Sequence, residues 1–504
     1  MSEQPPPQTL GTDTLETDTL ETDVVVIGGG PPGENVAGTV RDAGLECVLV
    51  ERELFGGECS YWACIPSKAL LRPLDVRAAA TRLPGVPVGE VDAAAVLARR
   101  DWFTGRAEGS PFGHDDAGQA DWVASTGAVA LRGDARLDGP RRVVVTTADG
   151  ERTVVARHAV VLAVGTDAFV PDLPGLRAAA PWTSREATDV RAVPRRLLVL
   201  GGGVVACEMA QAMRGLGAQE VTVVERGERL LGRAEPVAGD LLRQAFEEAG
   251  ISVRTGTGVV RVDRPVPGGE VTAQLDDGTT VVADEILVAT GRSPRTAGLG
   301  LDSVGLTGDR LRRGSVPVDD TLAVDTGDAS PWLYAVGDVN GRNLLTHMGK
   351  YQARACGRAI AARARGTAVA AQGFGPATAA ADRLGAPAVV FTDPQVASVG
   401  LTESAARERG IDVHVVEHDL GAVSGASLLA DGYRGAARLV VDRERRVVVG
   451  ATFVGQDVAE LLHSATVAVV GEVPLERLWH AVPSFPTISE VWLRLLEAYP
   501  DAAG

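Results

Sequence analysis

The sequence has little cysteine and no long apolar run. Five cysteines occur in 504 residues, which is too few, and too scattered, for a framework of structural disulfides. No stretch approaches the roughly 20 uninterrupted apolar residues that a membrane-spanning helix needs. The polar, acidic N-terminus does not resemble a secretion signal. We therefore expect a cytoplasmic protein in which any disulfide is catalytic rather than structural.

Lysine is also scarce, because only Lys68 and Lys350 occur among the 49 basic residues and arginine supplies the rest. Acidic residues outnumber basic ones, and the net charge is −17. The electrostatic field of such a negatively charged protein repels phosphate backbones and anionic lipid surfaces. The composition therefore disfavours partners such as nucleic acid or a membrane, and it makes each lysine a residue to explain.

The length and apolar content indicate several globular domains. With 45% apolar residues, 504 residues correspond to about three domains at roughly 100–200 residues each. Residues 1–22 contain PPP and a polar, acidic repeat, TDTLETDTLETD. Such a segment buries too little surface to offset its ordering entropy, so it predicts a disordered tail.

Two segments alternate strand, helix and strand. DVVVIGGG reads as a strand ending in glycines, PPGENVAGTVRDAG as a helix and ECVLVER as a second strand. The pattern returns in RRLLVLGGG, VVACEMAQAMRGLG and VTVVER. Two such units predict an α/β fold with two Rossmann-like dinucleotide-binding domains. From about residue 380 the chain reads as an α+β unit without phosphate-binding glycines.

The first unit carries a dinucleotide-binding fingerprint. Gly28, Gly30 and Gly33 directly follow the strand, where missing side chains let the backbone approach a pyrophosphate. Glu51 ends the next strand, where a carboxylate accepts hydrogen bonds from ribose hydroxyls. A merely tight glycine turn is the plainer alternative.

The second unit carries a similar fingerprint. Its loop residues are Gly201, Gly203 and Ala206, and Glu225 ends the following strand. A carboxylate at Glu225 repels a 2′-phosphate and favours NAD(H). The nearby arginines, Arg226 and Arg229, leave NADP(H) open.

Two cysteines stand close together in GGECSYWACIPSKALLR. Cys59 and Cys64 have four residues between them at the start of an expected helix. A helix N-terminus favours a thiolate and lowers its pKa, which suits thiol–disulfide exchange. Zinc is the rival interpretation, but no second Cys or His pair has metal-ligand spacing. We expect a reversible disulfide and no metal site.

These motifs together resemble the class I pyridine nucleotide-disulfide oxidoreductases, over nearly all of residues 23–495. The resemblance rests on GGGPPG, GGECSYWACIPSK, AVGT, GGGVVACE, VATGRSP, YAVGDV, LTHMGKYQ, VVFTDPQVASVGLTE and FPTISE. It implies an FAD domain over residues 23–175 and 299–375, and an NAD(P) domain over 176–298. A dimerisation domain over 380–504 and a homodimer with a shared active site are implied as well.

The resemblance also implies roles for individual residues. Electrons would pass from NAD(P)H through FAD to Cys64, the charge-transfer thiolate, and Cys59 would attack the substrate. Lys68 would lie by the flavin and pair with Glu208, and the scarcity of lysine supports a special role. The remaining expected cofactor contacts are Gly165, Asp338, Thr346 and His347 for FAD and Gly291 for NAD(P).

The C-terminal motif departs from that pattern. Thiol-reducing members have a histidine that pairs with a glutamate as acid–base catalyst, whereas here Phe485 precedes the retained Glu490. Losing such a catalyst costs roughly 10²–10⁴ in rate. His463 and His480 lie upstream as possible substitutes, but a lone histidine is more often structural or solvated.

The cysteine segment departs as well. Glu58, Tyr61, Trp62 and Ala63 stand where the resembling family usually has Thr, Asn, a small apolar residue and Gly. The Tyr–Trp pair predicts a larger aromatic surface beside the disulfide and hints at a different acceptor. We expect a dihydrolipoamide dehydrogenase-like reductase of a small-molecule acceptor. Alternatives are a reductase of a quinone, metal or carbon-centre substrate, and a flavoprotein redox sensor or complex subunit.

Overall fold

The computed structural model describes residues 19–500. Residues 1–18 of the predicted tail lie outside the described residues. The last four residues of that predicted tail, 19–22, instead begin the first strand, Thr19–Ile27, because they pair in parallel with residues 153–156 of a long strand, Gly150–Leu162. The first strand thus begins before the boundary that composition indicated.

The chain folds into two compact units, each built from three segments. The first contains the described residues up to Tyr61, with Thr104–Asp167 and Arg292–Asp382. The second contains Trp62–Phe103, Ala168–Gly291 and the described residues from Arg383 onward.

The first unit is organised around a seven-stranded sheet. Six strands lie in the order Val129–Arg132, Cys47–Glu51, Thr19–Ile27, Gly150–Leu162, Arg142–Thr147 and Asp134–Leu137, and Leu333–Ala335 also pairs with Gly150–Leu162. The strands that precede or follow helices pair in parallel. Arg142–Thr147 is antiparallel to Gly150–Leu162, and Asp134–Leu137 is antiparallel to Arg142–Thr147. Val24, Val25 and Val26 are fully buried, as expected for a strand covered on both faces.

Helices cover the parallel part of this sheet. They are Pro31–Asp42, Gly57–Tyr61, Ala117–Ser125 and Thr346–Ala364, with 3₁₀ turns at Leu301–Val304, Gly308–Arg310 and Gly337–Asn340. Pro31–Asp42 and Thr346–Ala364 pack against each other. A two-stranded ribbon pairs Thr166–Ala168 with Arg292–Pro294.

The second unit contains three sheets. A parallel sheet has the order Ile251–Arg254, Glu220–Val224, Arg196–Leu200 and Glu285–Val288. An antiparallel sheet follows with Val259–Asp263, Val271–Leu275 and Thr280–Ala283. A five-stranded antiparallel sheet has the order Ala388–Val390, Gln395–Gly400, Val447–Gly455, Ala436–Asp442 and Val413–Asp419.

The helices of the second unit complete the mixed α/β fold that the sequence predicts. The longer ones are Cys64–Thr81, Ala93–Phe103, Val204–Gly215, Pro236–Glu248 and Leu462–Val470. The shorter ones are Ser184–Thr188, Glu403–Glu408, Ser424–Leu429, Leu475–Leu478 and Val491–Glu497, with 3₁₀ turns at Leu420–Ala422 and Ile488–Glu490. A further short helix, Ala381–Leu384, lies where the chain leaves the first unit. None of the helices between residues 19 and 500 is long and apolar enough to cross a membrane.

Candidate functional site

The first glycine loop, Gly28–Gly33, joins a buried strand to the helix Pro31–Asp42. Gly28 has a φ of 107°, a conformation that side chains disfavour. A Cβ atom at Gly33 would lie 1.8 Å from the carbonyl oxygen of Gly28, so this position requires glycine for helix–strand packing. At Gly30, in contrast, the nearest atom to a Cβ would be 3.9 Å away. The loop is therefore tightly packed on one side and open at its middle glycine.

Glu51 holds the first glycine loop in place. One carboxylate oxygen accepts a hydrogen bond from the backbone N–H of Gly29 at 2.6 Å, and the other accepts from that of Glu53 at 2.7 Å. Burial raises the pKa of Glu51. Its position at the end of the second strand is thus the one that a ribose contact requires.

A second region of the first unit packs onto the same loop. Cβ atoms at Gly337 and Gly349 would lie within 3 Å of the Pro32 side chain, so the segment around Asp338 approaches the loop closely. Asp338 accepts a hydrogen bond from the Thr166 hydroxyl at 2.9 Å, and burial raises the pKa of Asp338.

The helix that contains Gly349 supplies two further expected FAD contacts. Thr346 is the first residue of this 19-residue helix, and His347 follows it with its side chain exposed. The fold thus brings the expected FAD contacts of this helix and of the Asp338 segment to the first glycine loop.

Glu34 is a buried acid that the sequence patterns did not single out. It lies in the first turn of the helix after the loop, is 7% exposed, and its Oε1 atom has no hydrogen-bond partner among residues 19–500. Burial raises the pKa of Glu34 to about 7. Burial cannot be read from one position, so only the fold reveals this group.

The second glycine loop, Gly201–Ala206, repeats this construction in the second unit. Glu225 accepts hydrogen bonds from the backbone N–H groups of Gly202 and Gly227, both at 2.5 Å. A Cβ atom at Gly203 would meet nothing within 4 Å, whereas Ala206 is fully buried. The two loops therefore share one design, in which a strand-end glutamate fixes the turn.

Both loops fit a bound dinucleotide. Each leads into a 12-residue helix whose N-cap is a glycine, Gly30 or Gly203, so no capping side chain covers the helix start. The positive end of each helix dipole favours an anion there. The first helix begins with Pro31 and Pro32, which lack an N–H, so Gly33 carries its first backbone donor.

Open space at the middle glycines suits a pyrophosphate. Gly165 and Gly291, the other expected glycines, likewise have open space where a Cβ would stand. Both have positive φ, 70° and 145°, so glycine is favoured at each position for conformation as well as for access.

The cysteine segment forms two helices where the sequence predicted one. Cys59 lies in the short helix Gly57–Tyr61, and Cys64 begins the 18-residue helix Cys64–Thr81. The break falls at Trp62 and Ala63, and Ala63 has φ −140° and ψ −97°, outside the helical region. Both cysteines are partly exposed. Cys64 consequently occupies the dipole-positive end of a long helix, which favours its thiolate.

Lys68 and Glu208 form an ion pair in the second unit. The ammonium lies 2.7 Å from the carboxylate, whose side chain is 4% exposed. The other carboxylate oxygen accepts a hydrogen bond from the backbone N–H of Phe391 at 3.0 Å, and the ammonium lies 4.9 Å from the centre of the Phe391 ring. The expected pairing of Lys68 with Glu208 is therefore present, with Lys68 one turn after Cys64 on the same helix face.

The prediction of an aromatic surface beside the cysteines is wrong, because Tyr61 and Trp62 are buried, at 5% and 6% exposed. The Tyr61 hydroxyl donates to the carbonyl of Phe55 at 3.0 Å. The Arg185 guanidinium lies over the Trp62 ring at 4.2 Å. Both rings are buried, so neither indicates a particular acceptor.

Glu58 is held by two arginines from a distant part of the sequence. Arg292 and Arg295 donate to its two carboxylate oxygens at 2.7 and 2.8 Å. Sequence spacing could not reveal this contact, since 234 and 237 residues separate the partners.

The C-terminal motif contains an exposed phenyl ring and a buried carboxylate. Phe485 is 73% exposed and Glu490 is 7% exposed. Glu490 accepts a hydrogen bond from Arg494 at 2.7 Å, and its Oε2 atom is buried without a partner in the described part of the chain. His463 and His480 are both exposed. This segment therefore keeps the acid of the expected pair and lacks its base.

The other cysteines are buried thiols. Burial raises the pKa of Cys47 to about 12, and it raises the pKa values of Cys207 and Cys356 further. Such thiols are poor nucleophiles. Over residues 19–500, no group of three or more His, Cys, Asp or Glu side chains is arranged to hold a metal ion.

Comparison with known proteins agrees with this geometry. The family model described as pyridine nucleotide-disulphide oxidoreductase matches residues 22–366. The model of the same family's dimerisation domain matches residues 386–496.

Two relatives cover nearly the whole chain. A dihydrolipoyl dehydrogenase of Thermus scotoductus is 33% identical over 486 residues, which cover 94% of this chain and 96% of the relative. A mercuric reductase of Streptomyces lividans is 33% identical over 468 residues, which cover 91% and 92%.

A solved structure, that of the HOCl-induced flavoprotein disulfide reductase RclA from Escherichia coli, shares the fold. Its TM-score is 0.77 at 23% identity by sequence, with 95% of this chain and 100% of that chain covered. The resemblance inferred from the motifs and the predicted fold class are confirmed. The chain belongs to the pyridine nucleotide-disulphide oxidoreductase family and is an FAD-dependent oxidoreductase with a C-terminal dimerisation domain.

Proposed function

We propose that this enzyme takes electrons from NADH and delivers them through FAD and the Cys59–Cys64 pair to a small-molecule disulfide. The Lys68–Glu208 ion pair is the observation that carries the proposal. Lys68 is one of two lysines in the sequence, lies one helical turn from Cys64, and has its ammonium fixed by a buried carboxylate. A compact, oriented cation favours a thiolate on the same helix face.

The cysteine positions support a division of labour between the two thiols. Cys64, at the start of a long helix, is the thiol whose anion the protein stabilises. Cys59, in the preceding short helix, is the thiol that attacks the acceptor disulfide. Exchange then forms a mixed disulfide between Cys59 and the acceptor, and releases the other half of the acceptor as a thiol.

Two cofactors fit the two glycine loops. FAD, when bound, supplies two-electron transfer between the nicotinamide and the cysteine pair. We assign its pyrophosphate to the first loop, and its ribityl chain to Asp338. The second loop takes the pyridine nucleotide, and NAD(H) is favoured because the carboxylate of Glu225 repels a 2′-phosphate. Arg226 and Arg229 are exposed beside it, so a comparison of NADH with NADPH tests this preference.

We further propose the functional domains that the resemblance implies. They are FAD-binding segments 23–175 and 299–375, an NAD(P) domain 176–298 and a dimerisation domain 380–504. In a homodimer, Glu490 of the dimerisation domain serves the cysteines of the other subunit.

The exposed ring of Phe485 favours a second class of acceptor. Reduction of a disulfide needs a proton for the leaving thiolate, and a phenyl ring cannot supply one. A metal ion accepts electrons without a proton, and a quinone, which has no leaving thiolate, can take its two protons from water. We therefore name this class as the competing candidate.

Anaerobic titration of the purified enzyme tests the electron path. NADH should reduce it with the appearance of a long-wavelength absorption band from the Cys64 thiolate against the oxidised flavin. The same titration of the Cys64→Ser variant should give no such band. Absence of the band in the wild type, or its survival in Cys64→Ser, would contradict the proposed path.

Acceptor assays then identify the substrate class. Lipoamide, glutathione and mycothiol disulfides, and soluble quinones, are offered to the NADH-reduced enzyme. Cys59→Ser serves as the control, because it removes the thiol that would attack a disulfide and leaves the flavin in place to reduce other acceptors. Disulfide turnover that Cys59→Ser abolishes supports the proposal, whereas quinone turnover that persists in Cys59→Ser favours the competing class.

A further inference from the structure

Glu58, the residue directly before Cys59, is the centre of a charged cluster in the first unit. Its carboxylate receives one hydrogen bond from Arg292 at 2.7 Å and one from Arg295 at 2.8 Å. The three side chains are between 16% and 23% exposed. Partly buried, doubly paired carboxylates of this kind hold a fixed position, unlike single ion pairs on the surface.

The cluster continues from Glu58 to the expected ribityl contact. Arg292 also donates to the hydroxyl and the carbonyl of Thr166, at 2.5 and 2.7 Å. The Thr166 hydroxyl in turn donates to Asp338 at 2.9 Å. One guanidinium therefore connects the residue beside Cys59 with the residue assigned to FAD.

The charges of the cluster interact. Burial raises the pKa of Asp338; Arg292 and Arg295 lower it, while Glu58 raises it. Arg295 additionally pairs with Asp167 at 2.6 Å. The cluster thus contains two cations and three carboxylates, so removal of any one member changes its net charge.

The packing of this segment restricts the backbone that carries Glu58 and Cys59. A Cβ atom at Gly57 would lie 2.7 Å from the Cα atom of Gly30, so the short helix starts against the first glycine loop. The arginine contacts fix its next residue. The backbone of Cys59 is consequently restricted in two ways: Gly57 packs against the first glycine loop, and Glu58 is bound by Arg292 and Arg295.

We infer that Glu58 is a positioning residue that fixes Cys59 and, together with Arg292 and Arg295, sets the local charge around its sulfur. This inference rests on the proposed role of Cys59. It goes beyond that role because it assigns the control of thiol reactivity to Glu58, a carboxylate whose partners include Arg292 and Arg295.

Opposite effects are expected for the two partners of one ion pair. Glu58→Gln removes a negative charge, so the neighbouring arginines stabilise the Cys59 thiolate more strongly and its pKa falls. Arg295→Gln removes a positive charge, so the pKa of Cys59 rises. Each shift should be about 0.5–1 unit, and the double variant should return towards the wild-type value. Loss of packing alone cannot produce shifts of opposite sign.

Alkylation of the reduced enzyme by iodoacetamide measures this pKa. The rate of modification of Cys59, followed by mass spectrometry of its peptide between about pH 5 and 10, reports the thiolate fraction. Below the pKa, the expected shifts correspond to a roughly three- to tenfold change in rate. Glu46→Gln is the matched control, because it breaks another Glu–Arg ion pair of the first unit, with Arg157, at an exposed site.

The outcomes separate this inference from the proposed function. Opposite shifts in Glu58→Gln and Arg295→Gln, with Glu58→Asp and Glu46→Gln close to the wild type, support it. Equal Cys59 profiles in all variants, or shifts of the same sign, overturn it. If Glu58→Gln fails to fold, Arg295→Gln still decides the sign, because a Cys59 pKa that is unchanged or lowered in that variant overturns the inference. If the wild-type enzyme shows no long-wavelength band, the proposed function is refuted. If the wild type shows the band but the pKa of Cys59 is unshifted in Glu58→Gln and Arg295→Gln, only the inference is refuted.

Discussion

At position 485 a phenyl ring stands where resembling thiol reductases carry a proton donor. The acid that would orient such a donor is retained, since Glu490 is buried and has an unpartnered oxygen within the described chain. Phe485→His should therefore increase disulfide turnover at least tenfold, within the roughly 10²–10⁴ that acid–base catalysis supplies. Steady-state assays across pH should also show a new ionisation near the ordinary histidine range.

Phe485→Leu is the control for that substitution, because it changes the side chain without adding an ionisable group. An increase in Phe485→His alone identifies the missing base as the limiting feature. Unchanged disulfide turnover in Phe485→His would contradict the prediction and would strengthen the case for an acceptor that needs no proton there.

The buried carboxyl of Glu34 should make the folding stability of the protein depend on pH. Its pKa is raised from 4.5 to about 7 by burial, so the folded chain binds its proton more tightly than the unfolded chain. The stability contributed by Glu34 is complete below pH 4.5, falls as the unfolded state ionises, and is lost as pH rises through the folded-state pKa. The total is on the order of 3 kcal/mol. Glu34→Gln should therefore raise the melting temperature at about pH 8 more than at about pH 5.

Thermal unfolding of the holoenzyme at both pH values measures this difference. The FAD content of each sample is measured alongside, because lost cofactor would itself lower the melting temperature. A Glu34→Gln variant that changes stability equally at the two pH values would show that Glu34 does not titrate in this range.

At the level of secondary-structure elements, three glycines of the two loops serve different purposes. Gly33→Ala places a Cβ atom 1.8 Å from a backbone oxygen, so helix and strand must separate and the first unit should lose stability. Gly30→Ala would place its Cβ 3.9 Å from the nearest atom, and Gly203→Ala meets nothing within 4 Å; both N-cap residues have negative φ. These two variants should fold normally and bind FAD or NADH, respectively, at least tenfold more weakly.

Circular dichroism and cofactor titration separate the two effects. Gly203→Ala should keep its flavin and its melting temperature while its Kd for NADH rises. Unchanged NADH affinity in Gly203→Ala would place the pyrophosphate elsewhere.

The two glycine loops were predictable because the residues that define them are close together in the sequence. Strand, loop and helix follow one another directly, and Glu51 and Glu225 end the next strands. The Lys68–Glu208 pair was expected only from the resemblance, since 140 residues separate the partners.

Other features depend on tertiary packing that no short pattern encodes. The contact of Glu58 with Arg292 joins residues 234 positions apart. Tyr61 and Trp62 looked like surface aromatics, but the fold buries them. Residues 19–22 belong to a segment whose composition predicts a tail, yet they pair with residues 153–156 of a long strand. Burial also made an ordinary glutamate, Glu34, into a titrating group near neutral pH.

For the whole molecule, the dimerisation domain is the feature with the clearest consequence. Within residues 386–496, which match that domain model, four large apolar side chains are more than half exposed in the single chain: Leu428, Val467, Val482 and Phe485. Because they lie in a segment that matches a dimerisation domain, we expect these side chains to contribute to an interface with another copy. The native mass should accordingly be twice the 52.3 kDa of one chain.

The shared-site proposal predicts that the two half-reactions differ in their need for the dimer. Val467→Glu combined with Val482→Glu should give a monomer, because two charges on each subunit would be desolvated at the interface. Reduction by NADH and the long-wavelength band need only one chain's cofactors and Cys64, so both should survive. Disulfide turnover needs Glu490 of the other subunit and should fall by at least tenfold.

Light scattering verifies the oligomeric state, and His463→Glu, on the same helix as Val467, controls for added charge. Full disulfide turnover in a verified monomer would show that each chain carries a complete active site.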